Sequence, residues 1–572
     1  MSRNLRIATA VSVTVLLALG AASLMLFAGN EAAPTATASN EDPADGIWRE
    51  EAQRSMDGLF VDDKAKDAPR PTGGQLAPDV ATASRRHEDL RAPESGPSAP
   101  YAPAVQLEPP AEPDRGPSYT DYGVNGFVLT SRDRFSTFAA DVDTASYAIA
   151  RKQLDSGYLP SEAAVRVEEF VNSFDYEYRQ PDAGSPFAVD FEASPSPWNP
   201  RNHIVRIGVQ GRHLAPAQRK PVHLTFLVDT SGSMQSEDKM GLVKQTLTLL
   251  TKELRDGDTV AIATYAGSTQ VLLNPTPMGQ RDRILRALDG LSANGSTAMG
   301  AGIDLAYGLA DKSFAQGAVN RVIVCSDGDA NVGQTSHSEL SAHIKRYAAK
   351  GITLTTVGFG NGNYNDTMME RLANEGDGNY VYIDSVREAR RQFVDRLEST
   401  MEVIAKDVKL QVEWDPTAVV AYRLIGYENR DIADRDFRDD AVDAGEIGAG
   451  HQVTALYEVA LADDAKGNVA TVRVRNKAPG ADAPAVERSF ALDRSVMRSS
   501  VDETSRQFRV ALASATFAEI LRGSPHVGEV SLEQVRALAQ GAARSEYPAD
   551  AELVRLIAVA SRLKGGAAYA RR

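Results

Sequence analysis

His223-Leu224-Thr225-Phe226-Leu227-Val228 runs directly into Asp229-Thr230-Ser231-Gly232-Ser233, and this junction decides the fold. Leu224, Phe226, Leu227 and Val228 read as a buried strand of a parallel sheet, because strands covered by helices on both faces appear as continuous apolar runs. Asp229 then falls where the strand ends, the edge at which open α/β sheets bind ligands. One carboxylate and two hydroxyls at alternating positions of a short loop can turn their oxygens toward a common centre. Hard divalent cations take such a ligand set, and Mg²⁺ in particular keeps positions for water or an outside ligand.

The chain continues the pattern in order. Asn294-Gly295-Ser296-Thr297 offers a further hydroxyl ahead of a helical stretch at 299–310, and Val322-Ile323-Val324-Cys325 is a second buried-strand run that ends in Ser326-Asp327-Gly328. This Asp-x-Ser-x-Ser, Thr, Asp series resembles the metal-ion-dependent adhesion site of von Willebrand factor A (VWA) domains. The resemblance implies metal ligation by Asp229, Ser231, Ser233, Thr297 and Asp327, with Mg²⁺ or Mn²⁺ as the ion. In that family the site is a binding device with no catalytic role, and a partner's Asp or Glu fills the open metal position. Two carboxylates with three neutral hydroxyls leave such a cation able to attract one more anion.

Outward from the junction, strands are predicted at 223–228, 259–265, 269–273, 320–326, 352–358 and 379–383. They alternate with helices at 239–254, 281–290, 299–310, 336–350, 365–375 and 386–401. That alternation implies a doubly wound, mostly parallel, Rossmann-like α/β domain over 212–401, with 259–273 supplying an antiparallel edge. Before it, 119–211 reads as an N-terminal α+β module. Its Ser136-Thr137-Phe138, Asp141-Val142-Asp143-Thr144-Ala145-Ser146-Tyr147 and Val165-Arg166-Val167-Glu168-Glu169 resemble the N-terminal module of YfbK-like bacterial envelope VWA proteins. After it, the period changes to two, as in Val469, Val472 and Val474 with Arg473 and Arg475 beside them. A C-terminal α+β module of antiparallel strands and three helices is therefore expected over 402–572.

The 572 residues suffice for several domains, and a formal charge of −15 argues against nucleic acid as a partner. Cys325 is the sole cysteine, so an intrachain disulfide and lipid attachment at a processed N-terminal cysteine are both excluded; inside an apolar strand it reads as a small core residue. Arg3 and Arg6 precede an apolar stretch at 7–28 which, at about 1.5 Å per residue, is long enough to cross a bilayer. Its length favours a retained anchor over cleavage near Ala21 to Ser23, and the flanking charges put the rest of the chain outside the cytoplasmic membrane. Residues 31–118, rich in Pro and Ala, read as a disordered tether. A periplasmic or surface-exposed protein anchored through residues 1–30 is expected.

Rival chemistries are weaker. Asp141-x-Asp143 is similar to the carboxylate pair of haloacid-dehalogenase phosphatases, but Ala145 breaks the pattern; the two acids read better as caps of the following helix. Ser231 spoils any aspartic-protease Asp-Thr-Gly, and His337 and His343 miss the spacing of a zinc helix. The acids of 431–446 lack the frame of a calcium loop and read as a solvated connection. The expectation is therefore a non-enzymatic protein that binds an acidic protein partner through a divalent cation, with no small-molecule substrate. The alternative is an envelope scaffold whose metal site is internal or unused, with a metal-dependent hydrolase further behind.

Overall fold

A computed structural model describes residues 119–570, apart from 141–142, 294, 296–298, 329–336, 361–365, 443, 464 and 480–482. The predicted membrane segment and tether lie outside the described residues. So do Asp141 and, in the site series, Thr297. Among the described residues no helix is long and apolar enough to cross a membrane.

The chain begins with β1 (Val128–Leu129), β2 (Phe135–Ala139), the helices Ala145–Asp155 and Val167–Val171, β3 (Phe187–Pro195) and β4 (Asn202–Gly211). The central domain follows with β5 (Val222–Asp229), β6 (Thr259–Tyr265), β7 (Thr269–Pro277), β8 (Val319–Ser326), β9 (Ile352–Phe359) and β10 (Tyr380–Ile383). Their order is β10-β9-β8-β5-β6-β7, parallel throughout except for β7, which runs antiparallel at the edge. Successive residues of β5 serve opposite faces. Phe226 and Val228 pack with Val243, Leu247 and Leu250 of the helix Leu242–Glu253, while Leu227 packs with Ile303 and Tyr307 of the helix Met299–Lys312. Covering on both faces is what a continuous apolar run demands, and the doubly wound domain is the result. Cys325 lies wholly buried in β8, where burial pushes its thiol up.

The flanking stretches were read from the sequence as two modules, and the strand pairing joins them. β11 (Val403–Trp414), β12 (Val419–Ile425), β13 (Ile447–Gly448), β14 (Gln452–Leu461), β15 (Asn468–Lys477) and β16 (Ala485–Asp493) follow the central domain. One sheet has the order β1-β12-β14-β4-β3; the other is β13-β11-β15-β16, with β2 paired on β11. Val205 of β4 faces Tyr457 of β14, and Phe138 of β2 faces Leu410 of β11. Both flanks thus build one antiparallel sandwich, and the central domain is inserted between β4 and β11. The sandwich core includes Phe138, Val205, Ile207, Leu410, Trp414 and Tyr457.

The alternation expected of half-buried strands is exceeded in β14, which is buried over most of its length. Tyr457 faces the sandwich core, whereas its neighbour Leu456 packs with Ile204 and Ile425 against the helix Arg506–Leu521. Helices from both flanks cover that outer face, Tyr147, Phe170 and Phe174 packing with Phe517 and Leu556.

Candidate metal centre

Asp229, the last residue of β5, is wholly buried. Its Oδ1 accepts the Ser231 backbone N–H at 2.8 Å, and its Oδ2 accepts the hydroxyls of Tyr265 and Ser326, each at 3.1 Å. Both donors follow from the topology. Tyr265 ends β6 directly opposite Asp229, and Ser326 ends β8 on the other side of β5. Burial raises the Asp229 carboxyl above its ordinary range and the charge of Asp327 adds to this, while the bonds from Ser231 and Tyr265 pull it back.

Ser231 opens a short 3₁₀ turn, Gly232–Gln235, and its hydroxyl lies 2.9 Å from that of Ser233. The Gly232 N–H donates to the Gly295 carbonyl at 2.9 Å, fastening this loop to the one that carries Thr297. Asp327 is buried, and its Oδ2 takes the Lys239 ammonium at 2.9 Å. The same ammonium donates to the Ser233 carbonyl at 2.9 Å. The structure therefore brings together four of the five expected ligands, Asp229, Ser231, Ser233 and Asp327. The fifth, Thr297, is not described.

The donor set fits a hard divalent cation. Every group is an oxygen, two are carboxylates, and a cation is already held between the first loop and Asp327 in the form of the Lys239 ammonium. Among the described residues no three His, Cys, Asp or Glu side chains gather as a metal cluster, so hydroxyls must supply the rest of any such shell.

Sequence reasoning missed Tyr265, Ser326 as a hydrogen-bond donor, and Lys239. Lys239 had one local signal: a lysine at the start of a helical stretch opposes the helix dipole and needs a reason to be there. Gly360 gives it room. At φ +84, a Cβ on Gly360 would stand 2.5 Å from Lys239 Cε. Gly302 does the same for Tyr265, since a Cβ there would come within 2.8 Å of the tyrosine Cβ.

Asp143 belongs elsewhere. It does not cap the helix Ala145–Asp155; its Oδ1 accepts the Tyr380 N–H at 3.0 Å and its Oδ2 meets Arg430 at 2.8 Å. This carboxylate ties the N-terminal flank to the central sheet and to the C-terminal flank. The acidic connection is likewise anchored, with Asp434 accepting Thr137 at 2.6 Å and Asp440 paired with Arg475.

The topology and the loops at its carboxyl edge define a VWA domain, a fold of protein–protein interaction. Comparison agrees: residues 223–396 match the model of the von Willebrand factor type A domain, and 114–206 one described as von Willebrand factor. Residues 399–468 and 460–563 match the model described as uncharacterized protein YfbK, C-terminal. Uncharacterized protein YfbK of Escherichia coli (strain K12) is 37% identical over 471 residues, covering 77% of this chain and 80% of that protein. The chain belongs to the YfbK family. Inter-alpha-trypsin inhibitor heavy chain H3 of Homo sapiens is 24% identical over 175 residues, 29% of this chain and 19% of that one. Among solved structures, a von Willebrand factor type A protein from Catenulispora acidiphila covers 64% of this chain and 88% of its own, at 16% identity and a TM-score of 0.39.

Proposed function

We propose that this protein is a non-enzymatic, membrane-tethered binder outside the cytoplasmic membrane, which grips an acidic side chain of a protein partner through a divalent cation. Asp229, Ser231, Ser233, Thr297 and Asp327 would hold Mg²⁺ or Mn²⁺. When bound, the ion supplies positive charge at the sheet edge for a partner carboxylate. The protein's own part is to bury Asp229 among fixed hydroxyl donors and to keep Asp327 beside it. The observation that carries this reading is the convergence of four predicted oxygen ligands on one edge, where Asp327 and the Ser233 carbonyl already grip a cation. Gly232 and residues 235–238 are exposed while Ser231 and Met234 are buried, so the outer side of the first loop is open to a partner among the described residues. That exposure weighs against the scaffold reading, in which the flanking stretch would cover the site. Lys152 of the N-terminal flank does reach Asp238 at 3.3 Å, yet Asp238 stays half exposed.

The test is capture from an envelope extract with the full chain immobilised in Mg²⁺, in EDTA, and as the Asp229→Ala variant. A partner retained in Mg²⁺ and lost in the other two supports the reading. Capture that survives both chelation and the substitution contradicts it.

A further inference from the structure

Among the described residues, most buried arginines have carboxylate partners. Arg151 meets Asp384, Glu388 and Glu552; Arg423 meets Glu458 and Glu519; Arg522 meets Glu428 and Glu519; Arg544 meets Asp550. Arg321 lacks a carboxylate, but its guanidinium is held by Thr353, Thr355 and the Thr400 carbonyl. Arg396, which is half-buried, departs from this practice. Among the described residues its guanidinium makes no ion pair and one long hydrogen bond, 3.4 Å to the Ser173 carbonyl.

Arg396 lines a cavity of about 480 Å³ where the N-terminal flank, the base of the central sheet and the C-terminal flank meet. That volume lies in the range of small-molecule sites. Arg219 and Arg255, which precede β5 and β6, line the same space, as do His213 and His451. Asp175, Asp395 and Glu398 also line it. The first is exposed and accepts Gln452 and the Glu177 N–H, Asp395 is exposed, and Glu398 stands 3.6 Å from His213. Arg219, Arg255, Arg396 and His451 are half-buried, and Arg219 is paired with Asp258, whereas His213 and the acids stand at the rim. Burial, and then the charge of Arg391, lower Arg396 to about 10; burial, and then the charge of Arg396, lower His451 to about 4. Glu388 and Asp175 offset part of that cost from a distance, and with no carboxylate in contact Arg396 is a position where an anionic ligand completes the pairing.

We propose that this cavity binds a small molecule carrying an oxyanion, a carboxylate or phosphate, with Arg396 as its principal anchor. The site lies at the amino ends of the parallel strands, on the edge opposite Asp229. It adds a small-molecule ligand to a chain for which none was expected.

The test titrates inorganic phosphate and, separately, succinate into the full chain by calorimetry. At least one probe should bind saturably, and the tighter of the two identifies the oxyanion class. Arg396→Met should weaken binding at least tenfold. Arg396→Lys, which keeps the charge but loses the planar fork, should weaken it several-fold and serves where the Met variant does not fold. Titration in EDTA, with no divalent ion at the opposite edge, should leave it unchanged, so failure here and failure of the metal reading are separable. A folded parent that binds neither probe, or binding that is the same in either Arg396 variant, would overturn the proposal.

Discussion

Asp229 is a buried carboxylate kept in place by neutral donors, and the residues around it divide the work between fixing it and balancing it. Ser326 gives one of its two hydroxyl bonds to Oδ2. Replacing it by Ala should destabilise the fold by about 1.5 kcal/mol, as expected for a lost bond to a charged group, measured by denaturant unfolding. Lys239 acts in the opposite sense on any divalent ion. Its ammonium holds Asp327 and the Ser233 carbonyl, so an arriving cation meets both competition for a ligand and like-charge repulsion. Lys239→Met should therefore tighten Mn²⁺ binding by about tenfold, a difference of about 1.4 kcal/mol, measured by titration calorimetry. Weaker binding would mean that Lys239 positions the ligands instead.

At the scale of elements, one buried network joins helices from all three parts of the chain. Arg151 of the helix Ala145–Asp155 bonds Asp384 at 2.6 Å, Glu388 at 2.8 Å and Glu552 at 2.9 Å. Removing the cation leaves three carboxylates facing one another, so Arg151→Met should cost about 3–5 kcal/mol in denaturant unfolding. The network also sets a pH window. Burial alone would raise Glu388, but Arg391 and Arg151 outweigh it and hold the carboxyl down to about 2, from 4.5 ordinarily. A carboxyl lowered in the folded state contributes stability that is complete above about pH 4.5 and disappears as pH falls toward 2. Unfolding midpoints should decline across that interval, and Glu388→Gln should flatten the decline. An unchanged slope in the variant would remove Glu388 from the account.

At the scale of the molecule, the sandwich is closed only when both flanks are present. A chain ended at Met401 leaves β4 without β14 and β2 without β11, exposing apolar edges that pair with other chains. Size-exclusion chromatography should find that truncation aggregated; a monodisperse, folded product would contradict the closure. This interlock was not legible in the sequence. Tyr457 pairs with Val205 across the whole inserted domain, and no local period records the partner of a strand so distant. The central domain was legible because the continuous run in β5 and the turn after it carry their meaning locally. Asp229, Ser231, Ser233 and Asp327 could be found for the same reason, at strand ends and in one loop. Tyr265 and Lys239 could not, since their places depend on strand register and on the room left by Gly360.

A competent cation site at this edge takes up Mg²⁺ or Mn²⁺ through Asp229. Calorimetric titration of Mg²⁺ and Mn²⁺ into the full chain, beside Asp229→Ala, tests it most directly. Saturable binding in the parent and none in the variant, with both folded, is the expected result. A folded parent that takes up neither ion, or a variant that binds as the parent does, would contradict it.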